Sequence, residues 1–219
     1  MPPTLDSERD FWAQGLRRVA GLDEVGRGAW AGPVVAGAVV LPADPPICAG
    51  LRDAGLRDSK RLTAPHRERL VPLIQSVALG AAVGMSSAAE IDAHGIVAAC
   101  RLAMRRALAA LAPPPQALLL DAFPLPDDPR PQRAIVRGDD TSLSIAAASV
   151  IAKVWRDAHM ADLDRERPGY GFAGNKGYGT PDHRRALQEL GATPLHRHSW
   201  RPVRDLHVVQ LPLSSDLDA

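Results

Sequence analysis

Two stretches near the N-terminus, VAGLDEV at 19–25 and GPVVAGAVVL at 32–41, are almost continuously apolar and rich in valine. Between them lies a short segment that begins Gly26-Arg27-Gly28. Strands that are apolar on both faces belong in the middle of a sheet covered on both sides. That placement excludes a helical bundle and an open single-layer sheet. It also makes Asp23 and Glu24 conspicuous. Adjacent strand residues point to opposite faces, and burying either carboxylate unpaired is costly.

The rest of the chain reads as elements alternating around such a sheet. Residues 64–79 carry Leu70, Leu73, Ile74 and Val77 at helical spacing behind Thr63 as N-cap. Residues 78–86 form a weaker third strand. Ser87 and Glu90 make a capping box that opens a helix to about Leu111, which Pro113-Pro114-Pro115 ends. Ala117 to Leu120 is a short strand running into Asp121, and the proline-rich stretch from Pro124 to Pro131 is a surface loop. Arg133 to Arg137 is a further strand, ending at Gly138-Asp139. A long helix spans about Ser142 to Arg165, and Thr180-Pro181 starts another that Gly191 ends. The order predicts an α/β domain with a mixed central sheet flanked by helices, followed by a helical C-terminal region. Residues 1–18 are expected to stand apart as an N-terminal extension, 19–205 to form one domain with its helical C-terminal part, and 206–219 to be a flexible tail.

Composition limits the class. With 219 residues, 46% hydrophobic and a net charge of +1, the chain is a folded domain without a global basic signature. The start MPPTLDSERDFW has no apolar core of a signal peptide, and the apolar run from Ala29 to Pro42 is too short to span a membrane. Cys48 and Cys100 lack C-x-x-C spacing, which suits a reducing compartment and predicts the cytoplasm. All but three of the 26 basic residues are arginine; Lys60, Lys153 and Lys176 are the exceptions. An ammonium that survives against such a bias marks a place where a compact charge is preferred to a planar one.

Asp23, Glu24, Asp121 and Asp139 stand at ends or bends of apolar strands. Singly, such acids are turn or cap residues. Together they offer the oxygen ligands that hard divalent cations require, with room for water and phosphate. No G-x-x-x-x-G-K-[ST] loop and no D-x-D at the first strand accompany them, which argues against a nucleoside-triphosphate hydrolase or a small-molecule phosphatase. His196-x-His198 lacks partners at zinc-ligand spacing.

The blocks GLDEVGRGAWAGPVVAGAVVL, LRDSKRL, LLLDA, RGDDTSLSIAAASVIAKVWRD, PGYGFAGNKGYGTPDH and HRHSW, in that order over residues 20–203, resemble the ribonuclease HII family, the type 2 ribonucleases H. The resemblance implies a ribonuclease-H-like fold and a metal-dependent endonuclease. Such an enzyme cleaves the RNA strand of RNA–DNA hybrids and incises duplex DNA 5′ to embedded ribonucleotides, leaving 3′-OH and 5′-phosphate ends. It assigns Asp23, Glu24, Asp121 and Asp139 to a site for two Mg²⁺ or Mn²⁺ ions. It places Gly26, Arg27 and Gly28 at the ribose, where glycines allow close backbone approach to a 2′-hydroxyl. It puts Tyr178 against the next deoxyribose, and Ser59 and Lys60 of D-S-K on the backbone phosphates. Lys153 and Lys176 fall in matching blocks as further substrate contacts. Asp140 reads as a turn acid capping the helix from Ser142. Departures from the family pattern are Ala29-Trp30, Ala122 after Asp121, and Trp200. Ribonuclease HIII would need a longer N-terminal extension. A catalytically inactive duplex-binding protein of the same fold is the alternative, and the presence of all four acids argues against it. A monomer is expected. In the tail, Gln210-Leu211-Pro212-Leu213 loosely resembles a sliding-clamp-binding peptide, although Ser214 stands where its final hydrophobic residue belongs.

Overall fold

A computed structural model describes residues 2–207. In chain order the elements are α1 (Asp6–Trp12), β1 (Val19–Val25), β2 (Val34–Val40), α2 (Pro45–Asp53), a 3-10 turn at Ser59–Arg61, α3 (Ala64–Val77), β3 (Gly80–Ser86), α4 (Ala88–His94), α5 (Ile96–Ala110), β4 (Ala117–Asp121), β5 (Gln132–Ile135), α6 (Gly138–Thr141), α7 (Leu143–Glu166), α8 (Phe172–Asn175), α9 (Pro181–Leu190) and α10 (Arg201–His207). The five strands lie in the order β3-β2-β1-β4-β5. β1 is antiparallel to β2 and parallel to β4, and β4 is parallel to β5. The sheet is therefore mixed, as its sequence predicts.

β1 and β2 occupy the middle, and every β2 residue is buried. Ala20, Leu22, Val34, Ala36, Ala38 and Val40 point to one face, packed against Ile91 of α4 and Cys100, Met104 and Ala107 of α5. The other face meets α7, whose Ala146, Ala147, Ala148 and Val150 join a cluster with Leu70 and Ile74 of α3. α7 lies unusually close to the sheet. A β-carbon added to Gly21 would stand 2.2 Å from the Ser144 carbonyl carbon, and one added to Gly37 would stand 2.3 Å from the Ala148 oxygen. The small residues of IAAAS and the glycines of β1 and β2 answer each other across this contact.

Four boundaries differ from the sequence expectation. The helix expected over 87–111 is two helices, because Gly95 at φ 78° breaks it; the capping box at Ser87 and Glu90 forms as expected. β5 ends at Ile135, after which Arg137 turns left-handed at φ 55° and Gly138 to Thr141 make one helical turn. Asp139 thus sits on α6 rather than at a strand end. Asp140 caps no helix: it pairs with Arg61 at 3.3 Å, and Ser142 caps α7 through its own hydroxyl, which accepts from the Ile145 N–H. Thr63 precedes α3 in extended conformation without a side-chain cap bond.

Residues 2–18 contribute to the core. Leu5 and Phe11 are buried, and the buried Glu8 accepts from the Ser142 hydroxyl and from the Ser144 N–H and hydroxyl at the start of α7. Thr4 adds backbone bonds to Thr141 and Leu143.

Candidate active site

The parallel pairing of β1 and β4 sets Leu22 opposite Leu120. One residue further, Asp23 and Asp121 therefore come side by side at the carboxyl ends of parallel strands, where α/β sheets bind ligands. Asp121 reaches across to α6, accepting from the Gly138 N–H at 2.7 Å, which fixes the turn carrying Asp139. The left-handed Ala122 (φ 63°) lets the chain turn away directly after Asp121. A glycine at that position, usual in the family pattern, would adopt this backbone without strain.

Asp23 is 3% exposed, on the α7 side of the sheet. Its carboxyl group lies well above the usual carboxylate range because of burial first and the charge of Glu24 second, with Asp121 and Asp139 adding to it and a Ser149 hydrogen bond opposing. Glu24 is pushed up to about 7 by burial and by Asp121, against the pull of Arg27. Arg27 stands 3.6 Å from the Glu24 carboxylate. Asp139 is raised by burial and Asp121, although Lys60 donates to it at 3.4 Å. Lys60 is partly desolvated, which by itself would lower it, yet Asp139 and Asp23 hold it above the ordinary lysine range. Asp23, Glu24 and Asp139 thus share one partly desolvated corner in which burial and neighbouring carboxylates oppose ionisation of each.

The corner opens into a cleft of about 320 Å³ lined by Asp23, Glu24, Asp121, the Gly26–Gly28 loop, Ser59, Lys60, Ser149, Lys153 and Tyr178. Ser59 is buried, its hydroxyl 2.8 Å from that of Ser149. Its loop is held by Arg67, which bonds the Ser59 and Leu62 carbonyls and the Asp157 carboxylate. Lys153 donates to the same carboxylate at 2.7 Å. Lys176 is turned away from the cleft wall: its ammonium donates to the Asp157 carbonyl and its own carbonyl accepts from Arg156. Tyr178 is 38% exposed and presents its ring at the cleft mouth, with the Arg156 guanidinium 5.7 Å from its centre. Tyr170 is a packing residue: it stacks on Phe172 and donates to the Gly191 carbonyl. His183 and His196 are buried and bonded to each other at 3.2 Å.

Ser149 is a cleft residue that sequence reasoning missed. It lies within IAAAS, where every neighbour is small, and its signal was the one hydroxyl in that run directed at Asp23. Arg197 was likewise hidden among many arginines.

The donor set fits a hard cation. It is all carboxylate oxygen, and Glu24 Oε2 is buried without a hydrogen-bond partner in the protein. Among the described residues no three acids close into a ready-made metal cage. Magnesium-type sites use few carboxylates and complete their shell with water and substrate phosphate, so an open cluster is the expected form.

A family model described as ribonuclease HII matches residues 20–203. The chain belongs to the ribonuclease HII family. It is 54% identical over 207 residues to the ribonuclease HII of Chloroflexus aurantiacus, which covers 93% of this chain and 95% of that protein. Among solved structures it resembles the ribonuclease H2 from Pyrococcus horikoshii, with TM-score 0.73 and 29% identity over 87% of this chain and 97% of that one. It also resembles the ribonuclease HII in a PCNA complex from Archaeoglobus fulgidus, with TM-score 0.69 and 25% identity over 84% and 95% of the two chains. The ribonuclease-H fold is thereby established, and so is the enzyme class: a metal-dependent endoribonuclease that cleaves RNA in RNA–DNA hybrids.

Proposed function

We propose that the cleft incises duplex DNA on the 5′ side of an embedded ribonucleotide as well as cleaving continuous hybrids, leaving 3′-hydroxyl and 5′-phosphate ends. One observation carries this reading: Asp23, Glu24 and Asp121 line the same cavity as the Gly26–Gly28 loop and Tyr178, so hydrolysis and inspection of the sugar happen in one place. Asp23, Glu24, Asp121 and Asp139 would hold two Mg²⁺ or Mn²⁺ ions. Bound there, such ions would supply the activation of a water and the charge that stabilises the leaving oxygen in an in-line displacement.

The protein's own groups do the rest. Lys60, anchored to Asp139, supplies a positive charge beside the scissile phosphate, and Lys153 sits behind it on α7. The backbone of Gly26, Arg27 and Gly28 approaches the ribose closely enough to meet its 2′-hydroxyl, and the Arg27 side chain reaches the phosphate beside Glu24. The ring of Tyr178 covers the following sugar and leaves no room for a hydroxyl there. Ser59 and Ser149 orient Asp23 from beneath. Lys176 serves by holding the Tyr178 loop to α7 rather than by touching a phosphate.

Asp23→Asn and Asp121→Asn should each abolish cleavage while the affinity for a hybrid stays within a few-fold. Retained turnover in either purified variant would overturn the ligand assignment.

The chain acts in the cytoplasm as a monomer on this reading. The described residues contain no helix long and apolar enough to cross a membrane. The sliding-clamp peptide proposed at Gln210–Leu213 lies outside the described residues. Its support is the archaeal relative, whose structure is a complex with PCNA. Capture by a bacterial sliding clamp should be lost when the chain is ended at Asp205; equal recovery removes the proposal.

A further inference from the structure

Two arginines are fully buried, and the chemistry above uses neither. Arg156 of α7 and Arg197, just before α10, are both 0% exposed. Among the described residues neither makes a salt bridge with a carboxylate. Each spends its fork on backbone carbonyls instead. Arg197 donates to Gly26 O (2.6 Å), Arg27 O (2.8 Å) and Gly32 O (3.1 and 3.2 Å). Arg156 donates to Pro33 O (2.9 Å), Lys176 O (2.9 Å) and Ala31 O (3.4 Å). Burying a guanidinium without a counter-charge is costly, and burial holds both below the usual arginine range. Arg197 is pushed down to about 10, by burial first and by the neighbouring positive charge of Arg156 second. Packing alone would be served more cheaply by an apolar residue.

We infer that Arg156 and Arg197 are positioning residues that set the ribose-reading geometry of the cleft, Arg197 by aiming the Gly26–Gly28 backbone and Arg156 by fixing that loop to the one bearing Tyr178. The inference rests on the assignment of ribose reading to these two loops. Its physical basis is the planarity of the peptide bond. In a trans peptide the C=O and the following N–H point in opposite directions. With the carbonyls of Gly26 and Arg27 drawn down onto Arg197, the N–H groups of Arg27 and Gly28 are turned the other way, toward the cleft that this loop lines. Neither N–H has a hydrogen-bond partner among the described residues. They form a pair of fixed donors of the kind that binds an anion or hydroxyl oxygen.

Arg156 couples this loop to the segment bearing Tyr178. Its guanidinium joins the carbonyls of Ala31 and Pro33 to that of Lys176 and lies beside the Tyr178 ring. Trp30 and Ala31 N–H groups add bonds to the Gly177 carbonyl. Gly26 is required here: its φ is +86°, and an added β-carbon would stand 2.1 Å from Arg156 Nε. The distance between ribose-facing donors and tyrosine ring is therefore set by two rigid forks, a role a lysine cannot fill.

The test compares a duplex carrying one ribonucleotide, as substrate, with the all-DNA duplex of the same sequence, as competitive inhibitor. Assays use the intact enzyme with Mg²⁺ or Mn²⁺. Arg197→Lys should lower kcat/KM for the ribonucleotide duplex by roughly 10- to 100-fold. The inhibition constant of the all-DNA duplex should stay within about two-fold of wild type, because phosphate contacts and charge are retained. Trp200→Leu, which leaves Arg197 in place but removes the ring 5.2 Å from its guanidinium, should shift the same ratio in the same direction by a smaller factor. It covers the case in which Arg197→Lys fails to fold, scored by circular dichroism. Parallel loss of both constants, or an unchanged ratio in the folded variants, overturns the positioning role. Tyr178→Ala separates the two readings. If it changes the ratio while the arginine and tryptophan variants do not, the clamp alone is wrong; if wild type itself does not distinguish the duplexes, the ribose-reading assignment falls and the clamp with it.

Discussion

At the scale of single residues, histidine chemistry behind Tyr178 gives a pH dependence with a definite sign. The Thr193 N–H donates to His196 Nδ1, so His196 carries its proton on Nε2 and gives it to His183 Nε2. His183 must then be protonated at Nδ1, which donates to the Tyr178 carbonyl. Every position in this chain is filled when both rings are neutral, and a further proton sets two donors against each other. Burial holds His183 below its ordinary 6.5. A histidine whose folded-state pKa is depressed contributes stability above its unfolded value and loses it as pH falls below that value. The thermal midpoint of wild type should therefore exceed that of His183→Phe most at pH 8, and the gap should narrow from about pH 6.5 downward. The acids of the cleft are present in both proteins, so their opposite pH dependence cancels in the difference. A gap independent of pH would remove His183 from this role.

At the scale of elements, the close contact of α7 with β1 and β2 sets where the site stands. Ser149 and Lys153 line the cleft from α7, and Asp23 meets them from the sheet. Gly37→Ala should push Ala148 and the helix outward, costing about 3 kcal/mol of stability in urea unfolding, since backbone cannot yield as a side chain can. An unchanged midpoint would mean that the contact is looser than described. The central strands were readable from their apolar runs, and the capping box at Ser87 and Glu90 from its spacing, because each depends on residues near in sequence. The break at Gly95 was not, since a lone glycine within an apolar pattern is tolerated in many helices. Nor was the one-turn helix bearing Asp139. Its left-handed start at Arg137 and the Gly138–Asp121 bond are tertiary features. The acids themselves were legible because carboxylates inside apolar strands stand out. The buried Arg197 was not, because nothing local distinguishes it from the other arginines of the chain.

At the scale of the whole molecule, a net charge of +1 is compatible with a polyanionic partner because charge is arranged rather than accumulated. Carboxylates gather at the carboxyl ends of β1 and β4, where the cations of the proposed site would reverse the local field, and Lys60, Lys153 and Arg27 line the same cleft. Lys60 and Lys153 face the cleft, and Lys176 fastens its far wall, so the scarce lysines all serve the same region. The α7 helix joins the sheet that holds the acids to the C-terminal segments that hold Tyr178, so one rigid element links the proposed metal site to the proposed sugar-reading ring. Glu8 of α1 ties the N-terminal segment to the start of that helix. The most direct measurement uses a duplex DNA with a single internal ribonucleotide, incubated with Mg²⁺ or Mn²⁺ and resolved at nucleotide resolution. One cut on the 5′ side of the ribonucleotide, absent without divalent metal and absent in Asp23→Asn, is the expected result. Cleavage confined to long RNA–DNA hybrids, with the single-ribonucleotide duplex left intact, would contradict the joint role of the acid cluster, the Gly26–Gly28 loop and Tyr178.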